Sequence, residues 1–476
     1  MKIINVAMFA VAAVASIHAA TVDQVTVRQQ WPWSETVSVS YVLRDAADPV
    51  NVSVEATADG APVDSAALAV AITGDVYGVT NGVHTLEIDP AVAFGAAKTT
   101  VRHLQVRLTT SAAPAILTQE LYRIFDLDDG SFESVSRADI MNNPAKYGTY
   151  ETDFSKMGDG FNTTLDPSEV FIWTGVTNNP IYKTDKLVMR RIYAKDKVWQ
   201  ASADNHTGGA NTSVVNYWVK LTNDYLIAVF ETTQAQWTKI FGTNFSHFAS
   251  AADSPYRPAE NVTQREVLGC PEQWSLVHGK RPQCLTVVNK ELFNFPTNAY
   301  TYEVCTGSFM SKMWTKTGYE FFLPTEAQWE FACRAGTTTP YNHGKPGNIV
   351  GVASYVGWTH YNSGGETHAV GSLPCNAFGL YDMHGNVMEM MAAGGSIATN
   401  RGDHGDTDDD PILEPLGGTV AINGAYAKRG GSYVESSLGY DWTSSYKRCS
   451  SYNYTQVLND MGFRVTCPVN PQWYTH

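Results

Sequence analysis

The sequence predicts an α+β protein in two parts, an N-terminal β-sandwich followed by a larger region of little regular secondary structure. Two observations carry this. Residues 21–115 alternate apolar and polar positions with period two, as in VSVSYVLR (37–44), VNVSVEAT (50–57) and HLQVRLTT (103–110), the pattern of half-buried strands. Beyond residue 186 the texture turns to Trp, Gly and Asn, and three Thr-x-x-Gln/Glu signals announce short helices.

The first twenty residues read MKIINVAMFAVAAVASIHAA. Lys2, an apolar run from Val6 to Ile17 and small residues at Ala19 and Ala20 have the layout of a secretory signal peptide cleaved after Ala19 or Ala20. The other reading of this stretch is a short buried helix. The expectation is an exported protein, in the secreted, periplasmic or cell-surface sense. No later stretch approaches the ~18 uninterrupted apolar residues of a membrane span.

Residues 21–115 supply regular short strands separated by turns such as ADGAPV, and no apolar spacing of i, i+3, i+4. An immunoglobulin-like sandwich is expected, all β, with His84 and His103 as ordinary strand residues. Residues 116–185 read as a connecting region. FDLDDGSFE (125–133) has the look of a calcium loop, but Gly130 stands where such a loop needs Asp or Asn, so an acidic turn is expected.

From 186 to 468 the chain reads as one domain. Thr233–Gln236, Thr263–Glu266 and Thr325–Gln328 are capping boxes, in which the Thr oxygen accepts from the third helical N–H and Gln or Glu reaches back. Gly242 and Gly336 are the expected helix stops. Trp237 and Trp329 are expected in the core.

Charge excludes one class of partner. With 33 Lys+Arg against 47 Asp+Glu, the net charge is −14, and no basic face of the kind nucleic acid requires can be found. The seven cysteines all lie in the second half, without a C-x-x-C pair, so neither a zinc ribbon nor a dithiol redox site is indicated.

YLIAVFETTQAQW, RPAENVTQREV, FFLPTEAQWEFACRAGTTTPY, FGLYDMHGNVMEM, KRGGSYVE and MGFRVT follow one another in this order. The series resembles the formylglycine-generating enzyme, or sulfatase-modifying factor, family, whose domain is a variant of the C-type-lectin fold. The resemblance implies that fold for 186–468 and says nothing about 21–185. Enzymes of the family oxidise a cysteine of a client sulfatase, using copper held by two cysteines. Those positions fall here on Glu435 and near Tyr440, with Ser432 and Tyr433 matching and Cys449 left over. Copper(I) wants soft thiolates, so a degenerate pocket of Ser432, Glu435, Tyr440 and Cys449 is expected, without copper and without formylglycine generation.

A second branch of the superfamily binds non-haem iron through His-x-x-x-His-x-Glu, which this sequence lacks. His360, His368 and His384 are scattered candidates, each with the alternative of a loop histidine bonded to backbone. The family's glycine-asparagine segment implies a calcium site made of the carbonyls of His384, Gly385 and Val387 and the carboxylate of Glu389, hard oxygen ligands of the kind calcium takes. The alternative there is a buried turn in which Asn386 and Glu389 satisfy neighbouring donors. Ser354-Tyr355, where the family has another calcium site, lacks the usual asparagine. The acidic stretch RGDHGDTDDDP (401–411) fits no named loop and reads as a solvated face.

Residues 432–454 hold five of the 24 tyrosines, with serines, Asp441 and Trp442 among them. Tyr with small polar neighbours is the composition of adaptable recognition surfaces. The expected function is therefore binding of a protein or glycan ligand through Tyr440, Trp442, Tyr446, Tyr452 and Tyr454. An oxidoreductase with an altered metal site and a structural surface component are the other readings.

Overall fold

The computed structural model describes Ile3–Ile4 and residues 20–29, 35–95, 100–153, 165–201, 217–268, 287–289, 304–305, 307–344, 349–392, 407–413, 425–435, 442–447, 449–453 and 456–469. Most of the expected signal peptide lies outside them. Two compact units form, one of residues 1–121 and 135–150, the other of 122–134 and 151–476. No helix among the described residues is long and apolar enough to cross a membrane.

In the first unit the strands are β1 (Thr21–Gln29), β2 (Val37–Arg44), β3 (Val50–Ala58), β4 (Ile72–Gly74), β5 (Gly82–Ile88) and β6 (Leu104–Ala112). One sheet runs β1-β2-β5-β4, and a second pairs β3 with β6 and with Ala61–Pro62. Period two does the sorting. Val37, Val39, Tyr41 and Leu43 are buried while Ser38, Ser40 and Val42 are only partly covered, and both sheets feed one apolar core with Val52, Leu86, Ile88 and Leu104. Helix α1 (Ser65–Ala71) corrects the all-β expectation. Asp64 caps it by accepting from the Ala67 N–H at 2.8 Å, and it buries only Leu68 and Ala71, too few for the i, i+3, i+4 pattern to register.

The two largest sheets of the second unit position the site. The first has order β8-β7-β9-β10-β15, from Phe132–Ser136, Glu120–Asp126, Lys186–Ile192, Tyr225–Ala228 and Thr466–Pro468. The second has order β13-β12-β11-β14, from Cys449–Asn453, Ala425–Arg429, Met388–Met390 and Met461–Gly462. The stretch read as a connector is therefore folded. It supplies β7, whose Phe125 opposes Leu187 of β9, and Trp173, buried edge-on against Tyr122 and Tyr182 at 5.4 and 4.9 Å.

The helices of this unit include α2 (Gln234–Phe241), α3 (Gln264–Val267), α4 (Phe309–Thr317), α5 (Glu326–Arg334) and α6 (Ile349–Val356). The capping boxes at Thr233, Thr263 and Thr325 close as expected. Gly242 ends α2 in the left-handed region at φ 98°. Helix α5 stops one residue earlier than expected, with Ala335 itself left-handed at φ 45°. Trp237 and Trp329 are buried, and Trp237 lies parallel to Phe309 at 5.3 Å in the main core.

Candidate functional site

The glycine turn after β12 shapes the site. Gly430 and Gly431 take φ 88° and 67°, and a Cβ on Gly431 would lie 2.8 Å from the Thr443 Cα and 2.9 Å from the Trp442 carbonyl. Only glycine lets the chain pass beneath 442–443. It then enters Ser432, whose buried hydroxyl donates to Asp460 at 3.2 Å.

The 357–363 loop is stitched to this turn. The Tyr433 N–H donates to the Asn386 carbonyl at 2.9 Å and the His360 N–H to the Glu435 carbonyl at 3.2 Å, while the Ser363 hydroxyl donates to the Tyr433 carbonyl at 2.8 Å. Exposed side chains stand on and beside both segments. Tyr355, Tyr361 and Val434 are 41, 37 and 45% exposed, His360 is exposed, and Trp358 is half-buried with its ring stacked on His368 at 3.8 Å. Glu435 is half-buried. Burial, then the nearby Asp460 charge, pushes its carboxyl above the ordinary range, and Lys428 pulls the other way.

The expected residues fare differently. Ser432 and Glu435 come together around Asp460. Tyr446 is buried, which corrects its assignment to the ligand surface. Trp442 is half-buried, packed against the main core with the Lys447 ammonium 5.0 Å from its ring. Cys449 and Tyr452 lie on β13, and Tyr440 and Tyr454 fall outside the described residues. The exposed Tyr355 and Tyr361 and the half-buried Trp358 escaped the sequence reading. Their only signal was three aromatics within seven residues.

The histidines do not converge. His384 is buried, its Nδ1–H donating to the Thr443 carbonyl at 2.6 Å and its Nε2 accepting the Asn342 N–H at 3.2 Å, and burial pulls it down to about 4. His368 donates from Nε2 to the Ser363 carbonyl at 2.7 Å. Among the described residues no three His, Cys, Asp or Glu side chains gather as a metal site. The thiols of Cys333 and Cys375 are buried, and burial pushes both up, the second to about 12; such thiols are inert.

The carboxylate expected to bind calcium has another partner. Glu389 accepts from Arg464 Nε at 2.7 Å and Nη2 at 2.6 Å and from the Trp329 indole at 2.7 Å, all of it buried. A guanidinium on both oxygens leaves them unsuited to a second, divalent cation, so this donor set does not fit calcium. The glycine-asparagine turn is held by other means. Asn386, left-handed at φ 58°, accepts the His368 N–H at 2.9 Å and donates to Glu231 at 2.7 Å. The Glu231 carboxylate also receives the Val387 N–H at 3.1 Å. Its carboxyl lies well above the usual range because of burial and the neighbouring Asp382 and Glu389 charges.

Residues 202–468 match the model of the sulfatase-modifying factor enzyme 1-like domain. The chain is 45% identical over 75 residues to a formylglycine-generating enzyme of Mycobacterium tuberculosis, covering 14% of this chain and 25% of that protein. It thus spans about a quarter of that relative's length. It is 29% identical over 205 residues to the chaperone protein LppX of Paenibacillus barcinonensis, covering 38% of this chain and 68% of that one. Among solved structures, Treponema denticola variable protein 1 is similar at 24% identity and TM-score 0.41, covering 59% of this chain and 95% of that one. PvdO from Pseudomonas aeruginosa is similar at 18% identity and TM-score 0.41, covering 60% and 95%. Over 202–468 this chain belongs to the family of sulfatase-modifying factor enzyme 1-like domains.

Proposed function

We propose that this chain is an exported binding protein whose sulfatase-modifying-factor domain recognises a protein or glycan through the edge around Glu435 and does not oxidise it. The observation that carries the reading is Glu435 itself. It stands where the resemblance places the first copper thiolate, and a carboxyl raised by burial and by Asp460 is a poor ligand for a soft monovalent metal. The exposed Tyr361, next to the His360 whose N–H binds the Glu435 carbonyl, supplies large contact area at low entropic cost, which is how recognition surfaces are built. The 29% identity to a protein named a chaperone favours binding over chemistry. Metal analysis of the purified protein tests the reading. Copper and iron well below one per chain are expected, and either metal near one per chain would restore the oxidoreductase alternative.

A further inference from the structure

Among the described residues the two sheets of the first unit end in four edges, and three of these are blunted. β1 is interrupted by a bulge between Asp23 and Thr26, where Gln24 is left-handed at φ 53°. β4 is three residues long and ends on Gly74. Ala61–Pro62 is two residues long and carries a proline. These are the devices by which a strand edge avoids pairing with other chains. β6 has none of them. It runs nine residues, Leu104–Ala112, without glycine or proline, and its register with β3 is unbroken from Val50–Ala112 to Ala58–Leu104.

The far side of β6 is open. Among the described residues no backbone hydrogen bond joins 104–112 to any segment but β3. Its outward side chains also turn back to β3, with Arg107 donating to Glu55 at 3.4 Å and Gln105 accepting from Thr57 at 3.3 Å. The inward Thr110 hydroxyl donates to the Ala20 carbonyl at 3.1 Å. Gln105, Arg107, Ser111 and Ala112 are exposed. A long, regular strand with unpaired N–H and C=O groups along one side is a template for a further strand.

The strand that fits is a second copy of itself. Leu108 is the midpoint of β6, and an antiparallel pair with its two-fold axis there uses all nine residues of both copies. On the inward face Leu104 then meets Ala112, Val106 meets Thr110 and Leu108 meets Leu108. On the outward face Gln105 meets Ser111 and Arg107 meets Thr109. Apolar side chains extend the core, and no charge lies opposite a like charge. The charges near the strand also balance. Arg102 and Arg107 stand with Glu55 and with Asp59, whose carboxylate accepts the Arg102 and His103 N–H groups at 2.7 and 2.8 Å.

We infer that this chain forms a homodimer through β6, paired antiparallel about Leu108 so that one sheet runs on across both copies. Two domains with their sites would thereby be held together, which raises avidity for a repeated ligand. That use rests on the binding reading; the dimer itself does not.

The test uses the purified full chain without ligand. Sedimentation velocity from nanomolar to high-micromolar concentration is expected to show the mass doubling. Over the same range the amides of 104–112 should gain protection from hydrogen exchange, while those of 37–43 stay unchanged. Thr109→Arg, at an outward position, sets two like-charge pairs against the partner's Arg107 and should weaken association by roughly tenfold. Thr109→Glu sets opposite charges there and should strengthen it. A monomer at every concentration would overturn the proposal, including one that captures a strand of another protein instead. So would a dimer whose 104–112 amides gain no protection, or one that the two substitutions affect alike. If a variant does not fold, exchange in the wild type decides alone.

Discussion

Glu389 and Arg464 meet at 2.6 Å in the core of the second unit, both buried. Arg464 spends its remaining donors on backbone carbonyls, those of Ala228 at 3.1 Å and Tyr381 at 2.9 Å. One guanidinium thus ties β10, the 381–389 turn and β11 together around a single carboxylate.

Breaking that pair by removing one partner leaves a buried charge uncompensated. Glu389→Ala is expected to destabilise the domain by about 3–5 kcal/mol, read by chemical denaturation. Because Arg464, and not calcium, is the partner of Glu389, melting of the wild type with calcium and with chelator should show no shift traceable to this residue. A calcium-dependent rise in melting temperature that Glu389→Ala abolishes would contradict the assignment.

Gly431→Ala tests the turn beneath 442–443. The new Cβ would lie 2.5 Å from the Thr443 Cγ2 and 2.9 Å from the Trp442 carbonyl at a φ of +67°. A loss of at least about 2 kcal/mol is expected, since both the backbone conformation and the contact oppose a side chain. A loss within about 0.5 kcal/mol would mean that the turn can relax.

Tyrosines at the two ends of the exposure scale should behave oppositely. Tyr446→Ala empties a buried position and should cost about 3 kcal/mol or more, as large-to-small core changes do. Tyr361→Ala, at an exposed position, should stay within about 0.5 kcal/mol. Equal costs in denaturation experiments would contradict the placement of one of them.

Stability should fall as pH rises from about 4.5 to 7. Burial holds Glu260 and Asp382 up to about 7 and about 6 in the folded chain. Each therefore contributes stability that is fully present below its unfolded value and lost as pH rises through its folded one. For Glu260, moved from 4.5 to about 7, the difference is roughly 3 kcal/mol at 1.36 kcal/mol per unit. Denaturation midpoints at pH 5 and pH 7.5 check this. Glu260→Gln should flatten the slope.

What the sequence made legible was local. Thr233, Thr263 and Thr325 name their own helix starts because a capping box closes over four residues, and Val37 to Leu43 name their own face because a strand alternates. The six family segments located the Ser432–Glu435 turn for the same reason. Partners distant in the chain stayed hidden. Glu389 reads as a ligand until Arg464, 75 positions away, is seen to occupy it. Glu260 carries no signal of its own in the sequence, and its partners His247 and Phe248 lie 13 and 12 positions away. Tyr446 looked like surface because composition does not say which way a tyrosine points. The helix α1 was missed because it buries only two side chains.

The most direct test of the central claim is chemical. The purified chain, supplied with copper(I) and oxygen, is incubated with a cysteine-containing sulfatase peptide and the product read by mass spectrometry. On the proposal that Glu435 stands at the thiolate position, the peptide should keep its thiol at the level of a no-protein control. Peptide aldehyde above that control would contradict the binding-protein account.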